Sequence, residues 1–159
     1  KGPAGGTRDF DLGGTGIEVK TTAGKGLLTV RISSERQLEV IAVESLFLWC
    51  ISLEKSEIGD TLNDAVDRVI TLIGNDEELV TIFKEKLMLV GYILSDRDIY
   101  MTKFIVRAEY VYEIREGFPR ITSDVVPNCV FDVGYSIDLE ACEEWLSDPA
   151  TIWKNILGG

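Results

Sequence analysis

Two short acid-bearing segments joined by a glycine pair constrain this chain more than any other feature. Arg8-Asp9-Phe10-Asp11-Leu12 reads as a strand, Gly13-Gly14 as a turn, and Gly16-Ile17-Glu18-Val19-Lys20-Thr21-Thr22 as a second strand. Side chains alternate along a strand, so Ile17, Val19 and Thr21 face one way while Glu18 and Lys20 share the other face. The turn brings Asp9 alongside them. An acid, a turn and then acid-X-lysine is a compact way to hold a hard cation beside an ammonium group. Phosphodiester hydrolysis uses that pairing, because the cation polarises the phosphate and the lysine steadies the attacking water or the developing charge.

The rest of the chain alternates strand and helix patterns. Ala23-Gly24-Lys25-Gly26 turns into a third strand, Leu27 to Ser33, which predicts a three-strand meander of local hairpins. Ser34-Glu35-Arg36-Gln37 reads as a capping box opening a short helix to Val43. Ser45 to Leu53 is nearly continuous apolar sequence, as in a strand covered on both faces. Helices are expected from Thr61, with Leu62, Val66, Val69, Ile70 and Ile73 on one stripe, and from Glu77 to Val90, ended by Gly91. Tyr100 to Arg115 alternates as a long strand broken by Phe118-Pro119-Arg120, and Val130 to Ile137 reads as another strand. Leu139 to Leu146 and the segment from Asp148-Pro149 through Leu157 complete the helices. The expected architecture is one α/β domain over residues 1–159, a mixed central sheet begun by the meander and flanked by helices.

Composition removes most alternative chemistry. The chain has no histidine, which excludes Ser-His-Asp and Cys-His triads, His-ligated zinc and histidine general bases. Carboxylates with Mg²⁺ survive that exclusion. Cys50, Cys129 and Cys142 are odd in number and lack C-x-x-C spacing, so they read as reduced thiols in a cytoplasmic protein. No apolar run reaches the roughly 18 residues of a membrane span. The first residue is Lys1, and the start reads as an edge with part of the protein upstream. Net charge is −11, against general nucleic-acid affinity. Its distribution softens this: residues 1–34 carry five basic and three acidic residues, and the remainder carries 11 basic and 24 acidic.

In this order the segments resemble a family of bacterial proteins assigned to the PD-(D/E)XK, or restriction-endonuclease-like, superfamily. The resemblance rests on Gly2-Pro3, Asp9-Phe10, Ile17-Glu18-Val19-Lys20-Thr21-Thr22 and Ser34-x-x-Gln37-Leu38. It continues through Gly91-Tyr92, Gly117-Phe118-Pro119-Arg120-Ile121 and Val133-x-Tyr135-x-Ile137-Asp138-Leu139. It implies a restriction-endonuclease-like core and a Mg²⁺-dependent endonuclease, with Mn²⁺ as substitute, acting on DNA near restriction or phage-defence functions, with other defence-system proteins as partners. It also implies an N-terminal region upstream that can add an acidic site residue. The superfamily's proline before the aspartate is replaced here by Arg8.

The resemblance gives Asp9, Glu18 and Lys20 the catalytic roles. Asp9 and Glu18 hold the metal, the Val19 carbonyl supplies one more oxygen ligand, and Lys20 orients water and offsets charge on the phosphate. Asp11 reads equally as a second ligand or as a turn acid beside Gly13. Gln37 reads first as the capping-box partner of Ser34 and second as an accessory residue holding water or phosphate. Lys25, Arg31 and Arg36 read as solvated charges before phosphate contacts. For Tyr110, Tyr112 and Phe118, strand alternation favours core packing over base stacking. The rival function is a catalytically inert nuclease-fold module that serves protein–protein or DNA-positioning contacts in a defence complex. An acidic DNA mimic or regulator is a weaker third.

Overall fold

A two-residue turn at Gly13-Gly14 starts the main sheet. Both glycines have positive φ, 56° and 81°, the backbone that a tight hairpin matched to strand twist demands. The turn joins β1 (Phe10–Leu12) to β2 (Thr15–Ala23) in an antiparallel register pairing Phe10 with Ile17 and Asp11 with Gly16. This computed structural model describes residues 6–23 and 28–158. The Gly2-Pro3 lead-in and residues 24–27, which hold most of the expected Ala23–Gly26 turn and the candidate phosphate contact Lys25, lie outside the described residues.

β2 does not continue into a meander. Its second neighbour is β4 (Ser45–Asp60), which runs parallel to it from the Thr15–Ser45 pair to the Ala23–Leu53 pair. β4 pairs on its other side with antiparallel β5 (Phe104–Glu113), and β5 with the short β7 (Leu146–Ser147). The result is a mixed five-stranded sheet ordered β1-β2-β4-β5-β7. The third strand of the expected meander, β3 (Thr29–Ile32), leaves this sheet and pairs with β6 (Tyr135–Asp138) in a separate two-stranded sheet. The reason is burial. Val30 and Ile32 are sealed in a core with Leu46, Leu48, Tyr112, Ile137 and Leu139, so β3 packs across the main sheet instead of extending it.

The sheet is covered on both sides. The face bearing Leu46, Leu48 and Cys50 takes the β3–β6 pair and a 3₁₀ turn at Leu139–Trp145. The opposite face, with Ile17, Phe47 and Val111, takes α3 (Pro149–Leu157) through Ile152. Each such fully buried aliphatic or aromatic side chain contributes about 1.5–3 kcal/mol. Asp148 caps α3 by accepting the Ala150 N–H, and Pro149 occupies its first turn, as the sequence predicts. Thr61 and Asp64 form a reciprocal capping box at the start of α1 (Leu62–Ile73). Asp76 caps α2 (Glu77–Leu89), and Gly91 follows it at φ 87°. The expected apolar stripe of α2 buries no residue among those described. Tyr112 and Phe118 are core residues: Tyr112 donates its hydroxyl to the Leu139 carbonyl, and Phe118 meets Trp145 edge to face. Cys50 and Cys142 are buried free thiols, and burial pushes Cys50 up to about 11, which leaves it unreactive. Among the described residues no helix is long and apolar enough to cross a membrane.

Candidate active site

The alternation of β2 sorts its side chains as the sequence requires. Ile17 and Val19 pack toward α3, while Glu18 and Lys20 face the side occupied by β3 and the 3₁₀ turn Glu35–Leu38. Glu18 is 1% exposed, an unusual location for a carboxylate. Its Oε1 receives the Lys20 ammonium at 2.7 Å and the Gln37 amide at 2.6 Å. Gln37 Oε1 in turn accepts from Lys20 Nζ at 3.2 Å and from the Ser33 N–H at 2.7 Å. One glutamine therefore ties the acid, the lysine and the end of β3 into a single network.

The other carboxylate oxygen of Glu18, Oε2, is buried without a hydrogen-bond partner. An orphaned anionic oxygen is costly unless something positive meets it. Burial accordingly pushes the Glu18 carboxyl above its ordinary value. The Lys20 hydrogen bond and charge oppose that rise, and the neighbouring negative charge of Asp9 adds to it.

Asp9 stands just before β1, exposed, and its carboxylate accepts the Val19 N–H at 2.8 Å. It thus continues the ladder along the edge of β2 where β1 has ended. The β1–β2 register ends at the Phe10–Ile17 pair, and Asp9, in a bend one residue earlier, is near enough for its negative charge to act on Glu18. The N–H and C=O of one strand residue point to the same edge, so the Val19 carbonyl is directed toward the edge that Asp9 occupies. Asp11 is set further along, opposite Gly16, with its exposed carboxylate 3.9 Å from Arg8.

Gln37 corrects its first sequence reading. Ser34 does cap the 3₁₀ turn, but its hydroxyl accepts from the Arg36 N–H at 3.3 Å, and the Gln37 side chain turns inward to Glu18. The turn ends at Leu38, with Glu39 extended, instead of running to Val43. Two residues without an assigned role hold it in place. Arg120, of the Phe118-Pro119-Arg120 segment, donates to the Leu38 carbonyl at 2.6 Å. Glu35 accepts the Val133 N–H at 3.0 Å, and its hydrogen bonds hold its carboxyl below the usual range. The recurrence of Arg120 in the resemblance motif was the signal for it; nothing local in the sequence marks Glu35. A cleft of about 490 Å³ opens beside this network, lined by Gly6, Thr7, Ser33, Ser34, Arg36, Gln37 and Asp132. Arg36 is exposed there and 3.7 Å from Glu35, and Arg31 is exposed on β3.

Gln37→Leu keeps the volume but strips the network. It leaves the buried Glu18 carboxylate and the Ser33 N–H without their partner, at a cost of about 1–3 kcal/mol. The expected result is a melting temperature several degrees lower, measured by calorimetry, together with loss of metal-induced stabilisation.

Among the described residues no group of three or more Cys, Asp or Glu side chains forms a metal-binding cluster. A divalent cation would have two carboxylates, Asp9 and Glu18, as protein ligands. The orphaned Glu18 Oε2 fits such an ion, and an all-oxygen set suits a hard cation better than zinc. A family model described as "Putative PD-(D/E)XK family member, (DUF4420)" matches residues 1–140. No curated protein and no solved structure matches the chain.

Proposed function

Because the chain belongs to the DUF4420 family of PD-(D/E)XK-type proteins, with its nuclease-like α/β fold, we propose that it is a Mg²⁺-dependent endonuclease that hydrolyses DNA phosphodiester bonds. The observation that carries the reading is the buried Glu18–Lys20–Gln37 network with its unpartnered carboxylate oxygen, beside Asp9. A buried charged pair with an unmet oxygen is a poor device for stability and a good one for holding a cation next to a reacting phosphate.

Asp9 and Glu18 hold the Mg²⁺, with the Val19 carbonyl as a further oxygen. The bound ion supplies Lewis-acid polarisation of the phosphate. Lys20, fixed by Glu18 and Gln37, places its ammonium where it orients the attacking water and stabilises charge that develops in the transition state. Gln37 sets the Lys20 amine and keeps one Glu18 oxygen occupied, so that the other is left for the ion. Mn²⁺ substitutes for Mg²⁺, since both accept oxygen ligands. Other defence-system proteins are the natural partners of such an enzyme in bacteria, and the cytoplasm its natural location. The acidic remainder of the chain gives DNA little general attraction, so a partner that brings the substrate would complement it. That same acidity favours the second reading, an inert nuclease-fold module within a defence complex.

Plasmid relaxation separates the two. With its native partners present, the protein is expected to nick or linearise supercoiled DNA in Mg²⁺ and to stop in EDTA. A protein that binds its partners but never cuts DNA or RNA in Mg²⁺ or Mn²⁺ is the inert module.

A further inference from the structure

Arg8 is built into the fold in a way that the metal and lysine roles do not use. Its segment is exposed, yet the side chain itself is 7% exposed. It crosses Gly16 on the face of β2 that carries Glu18: a Cβ added at Gly16 would lie 2.9 Å from both Arg8 Cδ and Nη1. Gly16 is glycine because the guanidinium stem occupies that space. The Nη2 end is anchored by the carbonyls of Glu39 at 3.3 Å and Ile41 at 2.8 Å. Nε and Nη1 are buried with no hydrogen-bond partner, and Asp11 stands off at 3.9 Å. Two of the three nitrogens of a permanent cation are thus held pointing at no acceptor.

Position along β2 gives these donors a meaning. Gly16, Glu18 and Lys20 are successive residues on one strand face, about 7 Å apart. The Arg8 guanidinium over Gly16 therefore flanks Glu18 on one side as the Lys20 ammonium flanks it on the other. The cleft that leads to Gln37 has Gly6 and Thr7 as one wall, and Arg8 follows directly in the chain. From this placement we infer that Arg8 is a second anion-binding residue of the site, which takes a non-bridging oxygen of the phosphate adjacent to the scissile one through a guanidinium nitrogen left without a partner. Nη2 keeps the Glu39 and Ile41 carbonyls while another nitrogen of the same group meets the anion, a division of fixed donors that a lysine point charge does not reproduce. Nε and Nη1 are both buried, so binding requires the exposed Gly6–Thr7 segment to move aside. This rests on the nuclease reading and adds to it the residue that sets the register of the bound strand.

The test is binding of a fluorescein-labelled single-stranded oligonucleotide, with Ca²⁺ in place of Mg²⁺, across a salt series. Each phosphate contact on a single strand contributes a slope of about 0.7 to log affinity against log salt. Arg8→Gln is expected to bind at least tenfold more weakly and to lose about 0.7 of slope, while Mn²⁺ still stabilises it as it does wild type. Arg8→Lys keeps the slope but cuts DNA more slowly. Gly16→Ala, which displaces the guanidinium without removing its charge, weakens binding in the same way and covers the case in which Arg8→Gln does not fold. An Arg8→Gln protein with wild-type affinity and slope overturns the inference and leaves the nuclease reading standing. Loss of Mn²⁺ binding along with DNA binding also overturns it, since Arg8 would then act only by positioning Asp9. A wild-type protein that neither binds oligonucleotide nor cuts removes the nuclease reading and this inference with it.

Discussion

Lys20→Ala is expected to lower the rate of DNA cleavage by about 10²–10³-fold or more. Lys20 Nζ is fixed at 2.7 Å from Glu18 and 3.2 Å from Gln37, so its charge costs no reorganisation when the phosphate becomes more negative. An interaction that strengthens in the transition state shows up in kcat more than in substrate affinity. Stability should fall as well, because Lys20 is the counter-ion of the buried Glu18 carboxylate. Lys20 has a side chain 16% exposed at the margin of the network and adds nothing to either apolar core. The variant should melt several degrees lower by calorimetry at neutral pH, yet lose plasmid nicking at temperatures where it is still folded. Cleavage at the wild-type rate would remove Lys20 from the mechanism.

Glu18→Gln is the second large effect, and its two readouts move in opposite directions. Burial raises the Glu18 carboxyl above its ordinary value, so the folded chain binds that proton more tightly than the unfolded chain does. The contribution of Glu18 to stability is then fully present below the unfolded value and is lost as pH rises through the folded one. At neutral pH, without metal, the charged carboxylate weighs against the fold. Gln removes the charge at nearly constant shape, so the metal-free melting temperature at neutral pH should rise by a few degrees. The fall in stability with rising pH over the weakly acidic range should flatten. Mn²⁺ should raise the melting temperature of wild type and leave that of Glu18→Gln unmoved, because a ligand stabilises only a state that binds it. A variant that still gains stability from Mn²⁺ would place the ion elsewhere. This pattern, a site residue that weakens the fold it serves, is the usual trade between stability and activity.

The parts of this architecture that sequence reveals are those with local causes. The Gly13-Gly14 hairpin, the caps at Thr61, Asp76 and Asp148 and the Gly91 stop each depend on residues within a turn or two of one another. The face shared by Glu18 and Lys20 follows from the two-residue period of a strand alone. The α/β class and the mixed, helix-flanked sheet follow from the order of the patterns. What sequence hides is non-local. Strand β3 has the apolar alternation of any hairpin partner, and only its pairing with β6, far along the chain, shows that it lies across the sheet. The second half of β4, from Glu54 to Asp60, is too polar to read as strand and is tied to β5 at Glu54, Lys55 and Asp60, on either side of a register break. Gln37 sits at the spacing of a capping box, and the same spacing also lets it reach Glu18; the choice between them depends on where β3 delivers the turn. Arg8 was visible only as a substitution for proline, and its long reach to Glu39 and Ile41 has no sequence signature.

The proposed mechanism requires Asp9 and Glu18 to share one divalent cation beside Lys20. Anomalous diffraction from crystals of the protein grown with Mn²⁺ tests it directly. The account predicts a single strong peak within about 2.0–2.6 Å of a carboxylate oxygen of each acid, with the Glu18 oxygen that lacks a partner as one ligand. A peak held by other residues, or Glu18 still sealed against Lys20 and Gln37 with no ion at saturating Mn²⁺, would contradict it.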